Sequence, residues 1–381
     1  MWKQILVLGL SVSVLTACGS AQETEGSEKA ETIKIGASFD LTGPYAQYGS
    51  FASNGAQMAI EEAGIVDEKV LEYIVEDNKG TQIEAANTFK KLVDSKKIDV
   101  FIGADVSSNT ETIANLAQER EIPMVTPTAT KESITSIGDH IFRACYIDPT
   151  QGELLAQFST GDLGATTAVV MVNSENAYST GIAEAFITEF EAKGGKIVKQ
   201  INYGAADVDF RPILGTIQGV DADVIVIPDY YETIGMIAPQ IRELGIKSTL
   251  IGGDGWDGVT EQTKNNPEAV EGSYFVNHYT VQDDSELVQD FIANYTEKYG
   301  ETPNAFAALG YDAARILIEA IDTADSTDNV AVTNALVTGS FEGVTGKITF
   351  DENRNPVKTV SVIQITNGEN TLYKKLDPSQ Y

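Results

Sequence analysis

Short apolar runs alternate with longer stretches of helical periodicity along most of the chain from residue 32 onward. The runs have the length and composition of buried strands. The longer stretches place apolar residues three and four positions apart, as on one face of a helix. This pattern gives two successive β-α-β series of similar size, each of which needs its own mostly parallel sheet. The chain therefore predicts an α/β fold with two domains.

The elements after residue 277 do not form a third domain. Two late helices, predicted at 285–300 and 304–321, carry apolar stripes that need a partner sheet, most simply the first one. We therefore expect the chain to cross between domains near residues 145, 277 and 346. Several parallel linkers make a hinge, and a hinge beside two facing sheet edges makes a cleft. The predicted lobes are 32–145 with 278–345, and 146–277 with 346–381.

One segment, residues 99–130, reads as strand, small-residue loop, helix, strand and a second loop rich in threonine. The helix is predicted to begin at Ser108, which forms a capping box with Glu111, and to end before Pro123. Both loops then follow the carboxyl ends of neighbouring strands. In an open α/β sheet, ligands bind at that edge.

Hydroxyl groups gather at this predicted edge. The start of the helix adds unpaired N–H groups and partial positive charge, so that the two loops form a seat for a small anion such as a carboxylate. Any one of these residues could instead only cap a helix or shape a turn, because serine and threonine favour such positions. Two loops facing one edge favour a site. The hydroxyls belong to Ser107, Ser108, Thr128 and Thr130.

Composition narrows the function. The chain has 381 residues, 42% of them apolar, and a formal net charge of −30. So acidic a protein is a poor partner for nucleic acid or for anionic lipid head groups. Its apolar content is that of a folded chain long enough for two domains.

Motifs for metal, nucleotide or catalytic chemistry are missing from the sequence. The two histidines, His140 and His278, stand far apart and no cysteine pair accompanies them, which disfavours a transition-metal site. Residues 351–362 imitate a calcium loop but carry Pro356 and Val362 where glycine and glutamate are required. No P-loop or nucleophile-elbow motif occurs. We predict no metal, no cofactor and no catalytic residues.

The amino terminus has the form of an export signal over residues 1–17, with Lys3 before an apolar run too short to span a bilayer. Cys18 follows directly, in the segment L-T-A-C-G-S, which resembles the bacterial lipoprotein processing box. Lipidation of Cys18 would anchor the protein outside the cytoplasm, with residues 18–31 as a flexible tether. The alternative is ordinary secretory cleavage beside a cysteine. With Cys18 acylated, Cys145 has no disulfide partner.

Five segments in order resemble the type I solute-binding proteins of ABC importers, and among them the branched-chain amino acid group. The resemblance covers nearly all of residues 32–381. It implies two Rossmann-like lobes joined by three hinge crossovers, a monomer that closes on leucine, isoleucine or valine, and a membrane permease as partner. The segments are GPYAQYG, IGADVSSNT, TPTAT, AALGYDAARIL and FEGVTGKITFDENRNP.

The resemblance also implies roles for residues. Ser107, Thr128 and Thr130 match positions that hold the ligand's α-carboxylate and help hold its ammonium. Asp254 matches the acid that pairs with the ammonium, where the best-known members have the longer glutamate. The complete predicted ligand-binding set is Tyr48 in the first loop, Ser107, Ser108, Thr128, Ala129, Thr130, Tyr178, Tyr230, Asp254 and Phe306.

Several of these residues have simpler interpretations. The tyrosines could be ordinary half-buried residues, since the chain has 15 of them. Asp254 precedes glycine and could be a turn residue, and Trp256 could either pack its loop or touch the ligand. The leading hypothesis is a lipid-anchored receptor that delivers a branched-chain amino acid to a permease. The alternatives are a sensory receptor for an amide or other small polar solute and, third, a hydrolytic enzyme.

Overall fold

Two separate β-sheets organise the chain in the computed structural model, which describes residues 31–376. The predicted export signal and the lipidation site at Cys18 lie outside the described residues, as does the end of the chain after Leu376. No helix of the described part is both long and apolar enough to span a membrane.

The first sheet has six strands in the order β2-β3-β1-β4-β5-β6. All neighbours pair in parallel except β2 and β3. Parallel strands end at a common edge, so the loops after β1, β4 and β5 lie side by side. The strands are β1 Thr32–Phe39, β2 Ile65–Val66, β3 Lys69–Asp77, β4 Val100–Gly103, β5 Met124–Thr126 and β6 Ile141–Arg143.

The second sheet has seven strands in the order β15-β14-β11-β10-β9-β7-β8. Its parallel part, β7 to β11, receives the antiparallel pair β14 and β15 at one side. These strands are β7 Thr167–Asn173, β8 Lys196–Tyr203, β9 Val224–Val226, β10 Thr249–Gly252, β11 Tyr274–Asn277, β14 Val360–Thr366 and β15 Glu369–Leu376. A separate hairpin consists of β12 Ser340–Gly343 and β13 Gly346–Thr349.

Helices connect and cover these strands, as expected for parallel sheets whose faces must be buried. The helices are α1 Ala46–Ala63, α2 Gln82–Lys91, α3 Ser107–Glu119, α4 Asp148–Gly161, α5 Ala177–Ala192, α6 Arg211–Leu214, α7 Tyr231–Glu243, α8 Val259–Gln262, α9 Glu286–Tyr299, α10 Ala305–Ala324 and α11 Asn329–Thr338.

Helices α1 and α10 approach each other closely enough to require glycine. A Cβ on Gly55 would lie 1.9 Å from the carbonyl oxygen of Ala307, and one on Gly310 would lie 2.0 Å from that of Ala52. This close packing against the first sheet fixes the relative position of the two helices. It thereby fixes Tyr48 and Phe306, which these helices carry.

The late helices return to the first sheet, as the apolar stripes predicted. Residues of α9, α10 and α11 share one buried cluster with strands of the first sheet. The predicted third crossing near residue 346 lies too early, because the hairpin after α11 also packs there. Phe350 contacts Phe142 with ring centroids 5.1 Å apart, and Arg354 donates a hydrogen bond to the Ile141 carbonyl over 3.2 Å. The chain therefore leaves this lobe after Arg354.

Two helix starts differ from the sequence-based prediction. Helix α1 begins at Ala46, so that Tyr48 lies in its first turn and not in a loop. Helix α3 begins at Ser107, after the extended residue Val106, and no side chain caps it. The predicted capping box is therefore wrong, because Ser108 already lies inside the first turn. Helix α11 was not predicted; its strongest start signal is Asp328, whose carboxylate accepts hydrogen bonds from two N–H groups of the first turn.

Candidate functional site

A narrow cavity lies where the loops at the carboxyl edges of the two sheets meet. Elements of both lobes line it, including α1 and α10 from the first and the loops after β9 and β10 from the second. Eight of the ten predicted ligand-binding residues are among its lining. The complete lining is Tyr48, Asp105, Ser107, Thr128, Thr130, Tyr178, Tyr230, Asp254, Gly255 and Phe306.

Larger clefts flank this cavity, with empty volumes of about 1180 and 1460 Å³, but both are open to solvent. Size alone would favour them. The enclosed cavity is the better candidate because most of its lining side chains are buried polar or aromatic groups that converge from several elements.

The first lobe supplies hydroxyl groups. Ser107 Oγ accepts a hydrogen bond from the N–H of Lys131 over 3.3 Å, so its own proton is free to be donated. The Thr128 hydroxyl donates to the carbonyl oxygen of Asp105 over 2.6 Å, which leaves its oxygen lone pairs to accept a hydrogen bond. Ser107 also stands at the positive end of α3. The arrangement can donate to a carboxylate and accept from an ammonium.

The second lobe supplies an acid, Asp254, which is 3% exposed. Tyr178 donates its hydroxyl proton to Oδ1 over 2.9 Å. The His278 Nε2 lies 2.9 Å from Oδ2, and the Gln151 side chain accepts from the Asp254 N–H. Both carboxylate oxygens are thus held, and each keeps a lone pair for a further donor.

His278 acts on Asp254 as a neutral donor. Its ring is buried and stacks on Tyr146 with centroids 3.6 Å apart. Burial lowers the pKa of His278 to about 4, against the opposite effect of the Asp254 charge. Near pH 7 the contact is therefore a hydrogen bond from Nε2–H to a carboxylate and not a salt bridge. His278 fixes the orientation of Asp254 without neutralising it.

Aromatic rings form the remaining wall. Tyr48 stacks on Phe306 with centroids 4.1 Å apart, and Tyr178 stacks on Tyr230 at 4.8 Å. The Tyr48 hydroxyl also joins the lobes, since it donates to the Gly255 carbonyl over 2.5 Å and accepts from the N–H of Tyr231. The lobes are in contact in this structure, and the tyrosine predicted to line the pocket is one of the residues that hold them together.

Two predicted residues do not line the cavity. Ser108 is exposed on the outer side of the first turn of α3. Ala129 is buried, with its carbonyl oxygen turned away to accept hydrogen bonds from Arg143 and Cys145. Trp256, for which the sequence left two interpretations open, is buried, and its indole N–H donates to the Ile227 carbonyl over 2.8 Å. It supports the loop that carries Asp254.

The most informative residue that the sequence analysis did not select is Asp105, which lines the cavity and is 2% exposed. Its Oδ1 accepts only long hydrogen bonds, from the Asp40 N–H at 3.3 Å and from the Asn78 amide at 3.5 Å. Its Oδ2 has no hydrogen-bond partner within residues 31–376. Burial raises the pKa of Asp105 to about 7, and the charge of Asp40 acts in the same direction.

No cluster of three or more potential metal ligands occurs in the described part of the chain. The segment that imitates a calcium loop is a turn in which Asp351 Oδ1 accepts from the N–H groups of Asn353 and Asn355.

Comparisons with known proteins identify the family. The model of the family "Periplasmic binding protein" matches residues 32–370. A leucine-, isoleucine-, valine-, threonine- and alanine-binding protein of Pseudomonas aeruginosa is 28% identical, and the match covers 86% of this chain and 87% of that protein.

Solved structures are similar over almost the whole chain. The leucine-binding protein LivK of Thermotoga maritima is 34% identical, with a TM-score of 0.88 over 92% of this chain and 100% of that one. The branched-chain amino acid transporter substrate-binding protein LivJ of Streptococcus pneumoniae, in complex with isoleucine, is 31% identical, with a TM-score of 0.85 over 91% and 99%.

Proposed function

The chain belongs to the periplasmic binding protein family, and from that premise we propose that it is the substrate-binding component of an ABC transporter that captures leucine, isoleucine or valine. The predicted family and the type I fold with two lobes are confirmed by the comparisons. The prediction that the chain is not an enzyme is also confirmed, because the family and the similar structures are solute-binding proteins.

The observation that carries the proposal is the division of polar groups across the cavity. Hydroxyl groups and a helix N-terminus come from the first lobe, while the Asp254 carboxylate comes from the second. An amino acid held by its carboxylate at one lobe and by its ammonium at the other would bridge them. Burying either charge without such a partner costs several kcal/mol. Binding therefore favours the closed arrangement, because only that arrangement provides both partners.

The aromatic wall fits the remaining part of such a ligand. Tyr48, Phe306 and Tyr230 offer apolar ring faces to an aliphatic side chain. Among purely aliphatic side chains, shape is then the means of discrimination, and one methylene in an apolar pocket is worth only about 1–3 kcal/mol. Leucine, isoleucine and valine are consequently expected to compete for one site.

Delivery to a permease and anchoring by a lipid on Cys18 belong to the same proposal. They are supported by the export signal and by the lipobox-like segment of the sequence. A monomer is expected. Metabolic labelling with a radioactive fatty acid in a lipoprotein-processing host should label the wild type and not Cys18→Ser. If neither the wild type nor Cys18→Ser is labelled, Cys18 is not lipidated, and ordinary secretory cleavage is the remaining interpretation of the segment.

The proposal is tested by titrating each of the three amino acids into the purified protein. We expect one site per chain with a dissociation constant near micromolar, about −8 kcal/mol. Calorimetry measures it directly. Tryptophan fluorescence gives a second readout, because one of the two tryptophans, Trp2, lies in the predicted export signal and the other is Trp256, beside Asp254. If none of the three amino acids produces a binding signal in calorimetry or in tryptophan fluorescence, the proposal is rejected.

A matched pair of variants connects binding to this cavity. Ser107→Ala removes a hydroxyl that lines the cavity and should weaken binding by about 1.5–3 kcal/mol, the range for a hydrogen bond to a charged group. Ser108→Ala removes the exposed neighbouring hydroxyl and should leave the affinity unchanged. Equal effects of the two substitutions would place the carboxylate elsewhere.

A further inference from the structure

Asp105 is a buried acid of the cavity that the proposed zwitterion contacts do not require. It lies in the loop between β4 and α3, two residues before Ser107. Its polar contacts within the described residues come from the first lobe: Asp40, Asn78 and Thr128. It shares no hydrogen-bond partner with Asp254, the acid of the second lobe that the proposed function assigns to the ammonium.

The carboxylate of Asp105 lacks what a buried carboxylate normally has. One oxygen accepts two long hydrogen bonds, and the other has no partner among the residues that the structure describes. The neighbouring acid, Asp40, does not help, because its carboxylate is occupied by the N–H groups of Gly43 and Tyr45. A buried acceptor without a donor is costly. Retaining such a group in the wall of a binding cavity makes sense when the ligand brings the donor.

From this geometry, and resting on the proposed function, we infer that Asp105 is a specificity-determining residue that accepts a hydrogen bond from the side chain of the bound amino acid. The site then prefers a small hydroxyl-bearing amino acid, threonine above all, over valine, which has the same shape without the hydroxyl.

The size of the cavity selects a hydroxyl over an ammonium or guanidinium on a long side chain. The stacked pairs Tyr48–Phe306 and Tyr178–Tyr230 bound a narrow space, which suits a short side chain and not the long chain of lysine or arginine. A hydroxyl is also compatible with both protonation states of Asp105, since it can donate to the carboxylate or accept from the neutral acid.

Threonine and valine make a sharp comparison because a purely apolar pocket and a pocket with an acceptor rank them in opposite order. An apolar pocket favours valine over threonine by about a hundredfold. A site built to bond a hydroxyl penalises the analogue that lacks it, because its own polar group is left unpaired. The sign of the preference therefore decides between the two kinds of pocket, whatever its size.

The experiment measures the dissociation constants of threonine, valine and leucine by calorimetry at pH 8, for the wild type and for Asp105→Leu. In the wild type we expect threonine to bind at least about tenfold more tightly than valine. In Asp105→Leu the order should reverse. Asp290→Asn, which removes an exposed acid on α9, serves as the control for net charge and should keep the wild-type ratio.

The outcomes separate this inference from the proposed function. Valine and leucine binding with threonine equal or weaker would overturn the role of Asp105 and leave the proposed function standing. Absence of binding by any of the three would overturn both. A preference for threonine that persists in Asp105→Leu would assign the hydroxyl to another partner and also reject the inference. If thermal melting shows that Asp105→Leu does not fold, Asp105→Ala takes its place, and the same reversal of the threonine–valine order is expected.

Discussion

The two acids that line the cavity, Asp254 and Asp105, are equally buried and differently held. Asp254 has a hydrogen-bond donor on each oxygen, from Tyr178 and from His278. Asp105 has two long contacts on one oxygen and, within residues 31–376, none on the other. Asp254 is therefore oriented before any ligand binds, whereas Asp105 has an oxygen that can still accept a hydrogen bond.

This difference between the two acids matches what the ammonium and the side chain of an amino acid each require from a binding site. The ammonium is the same in every amino acid, so it is suited by an acid whose orientation is fixed by hydrogen-bond donors behind it. The side chain varies, so the group that meets it decides which amino acid is accepted. Substitutions at Asp254 should therefore lower the affinity for every ligand by a similar amount, whereas substitutions at Asp105 should change the order of the affinities.

The largest effect is expected for Asp254→Ala. Without the carboxylate, a bound ammonium is buried unpaired, and affinity for leucine, valine and threonine should each fall by about 2–5 kcal/mol. Calorimetry on the three ligands measures it, with Asp290→Ala as an exposed-acid control on α9 that should not alter affinity. Unchanged affinity in Asp254→Ala would mean that this residue only shapes its turn, and the contrast between the two acids would disappear.

The sequence predicted the alternation of strands and helices well because buried parallel strands and amphipathic helices leave regular apolar patterns. It failed where tertiary contacts decide. Helix α1 begins at Ala46, inside the glycine-containing segment that reads as a loop. Gly49 of this segment is required by packing, because a Cβ there would lie 1.9 Å from the Asp40 carbonyl oxygen. The last crossing was placed too early because the hairpin β12–β13 is held by side chains such as Phe350 and Arg354, whose partners are about 200 residues away.

An intermediate effect is expected for His278→Ala. Loss of the Nε2–H donor frees one oxygen of Asp254 and should weaken binding of every ligand by about 1.5–3 kcal/mol, the range for a hydrogen bond to a charged group. Because burial lowers the pKa of His278 to about 4, the ring stays neutral between pH 6 and 8. The difference from the wild type should therefore be the same at both pH values.

His278→Gln tests whether the donor matters more than the ring. Its amide N–H₂ can replace Nε2–H, so affinity should recover in part while the stacking on Tyr146 is lost. A deficit in His278→Ala that grows as the pH falls from 8 to 6 would show that the imidazole carries charge, and that Asp254 is neutralised as well as oriented.

The site itself was predictable only where residue type and loop position agree with a known pattern. Ser107, Thr128, Thr130 and the aromatic positions could be identified in this way. Ser108 was included because its hydroxyl was placed at the same sheet edge, but the helix starts one residue earlier than predicted and Ser108 is exposed. Asp105 was not selected; by sequence alone, an aspartate between a strand and a helix is an ordinary turn residue. Its importance depends on burial and on an unused oxygen, and neither leaves a trace in the sequence.

The smallest effect is expected for the stability of the ligand-free protein carrying Asp105→Asn. Burial raises the pKa of Asp105 to about 7, above an unfolded value of about 3.9, so between these values the folded state binds more protons than the unfolded one. The contribution of the Asp105 carboxyl group to the free energy of unfolding is therefore lost as the pH rises from about 4 to 7. The amide cannot ionise, so titration changes the stability difference by about 2–3 kcal/mol between pH 5 and pH 8: Asp105→Asn should be less stable than the wild type by about 1–2 kcal/mol at pH 5 and more stable by about 1 kcal/mol at pH 8.

The gain in Asp105→Asn is small because the amide is itself a buried polar group without a full set of partners. Thermal or urea denaturation at the two pH values measures it. A residual decline between pH 5 and 8 should persist, because burial also raises the pKa of Asp148 to about 8 and that of Glu232 to about 7. A variant less stable than the wild type at pH 8 would mean that the Asp105 carboxylate is already satisfied inside the first lobe. The contrast with Asp254, whose oxygens are both held, would then no longer explain ligand choice.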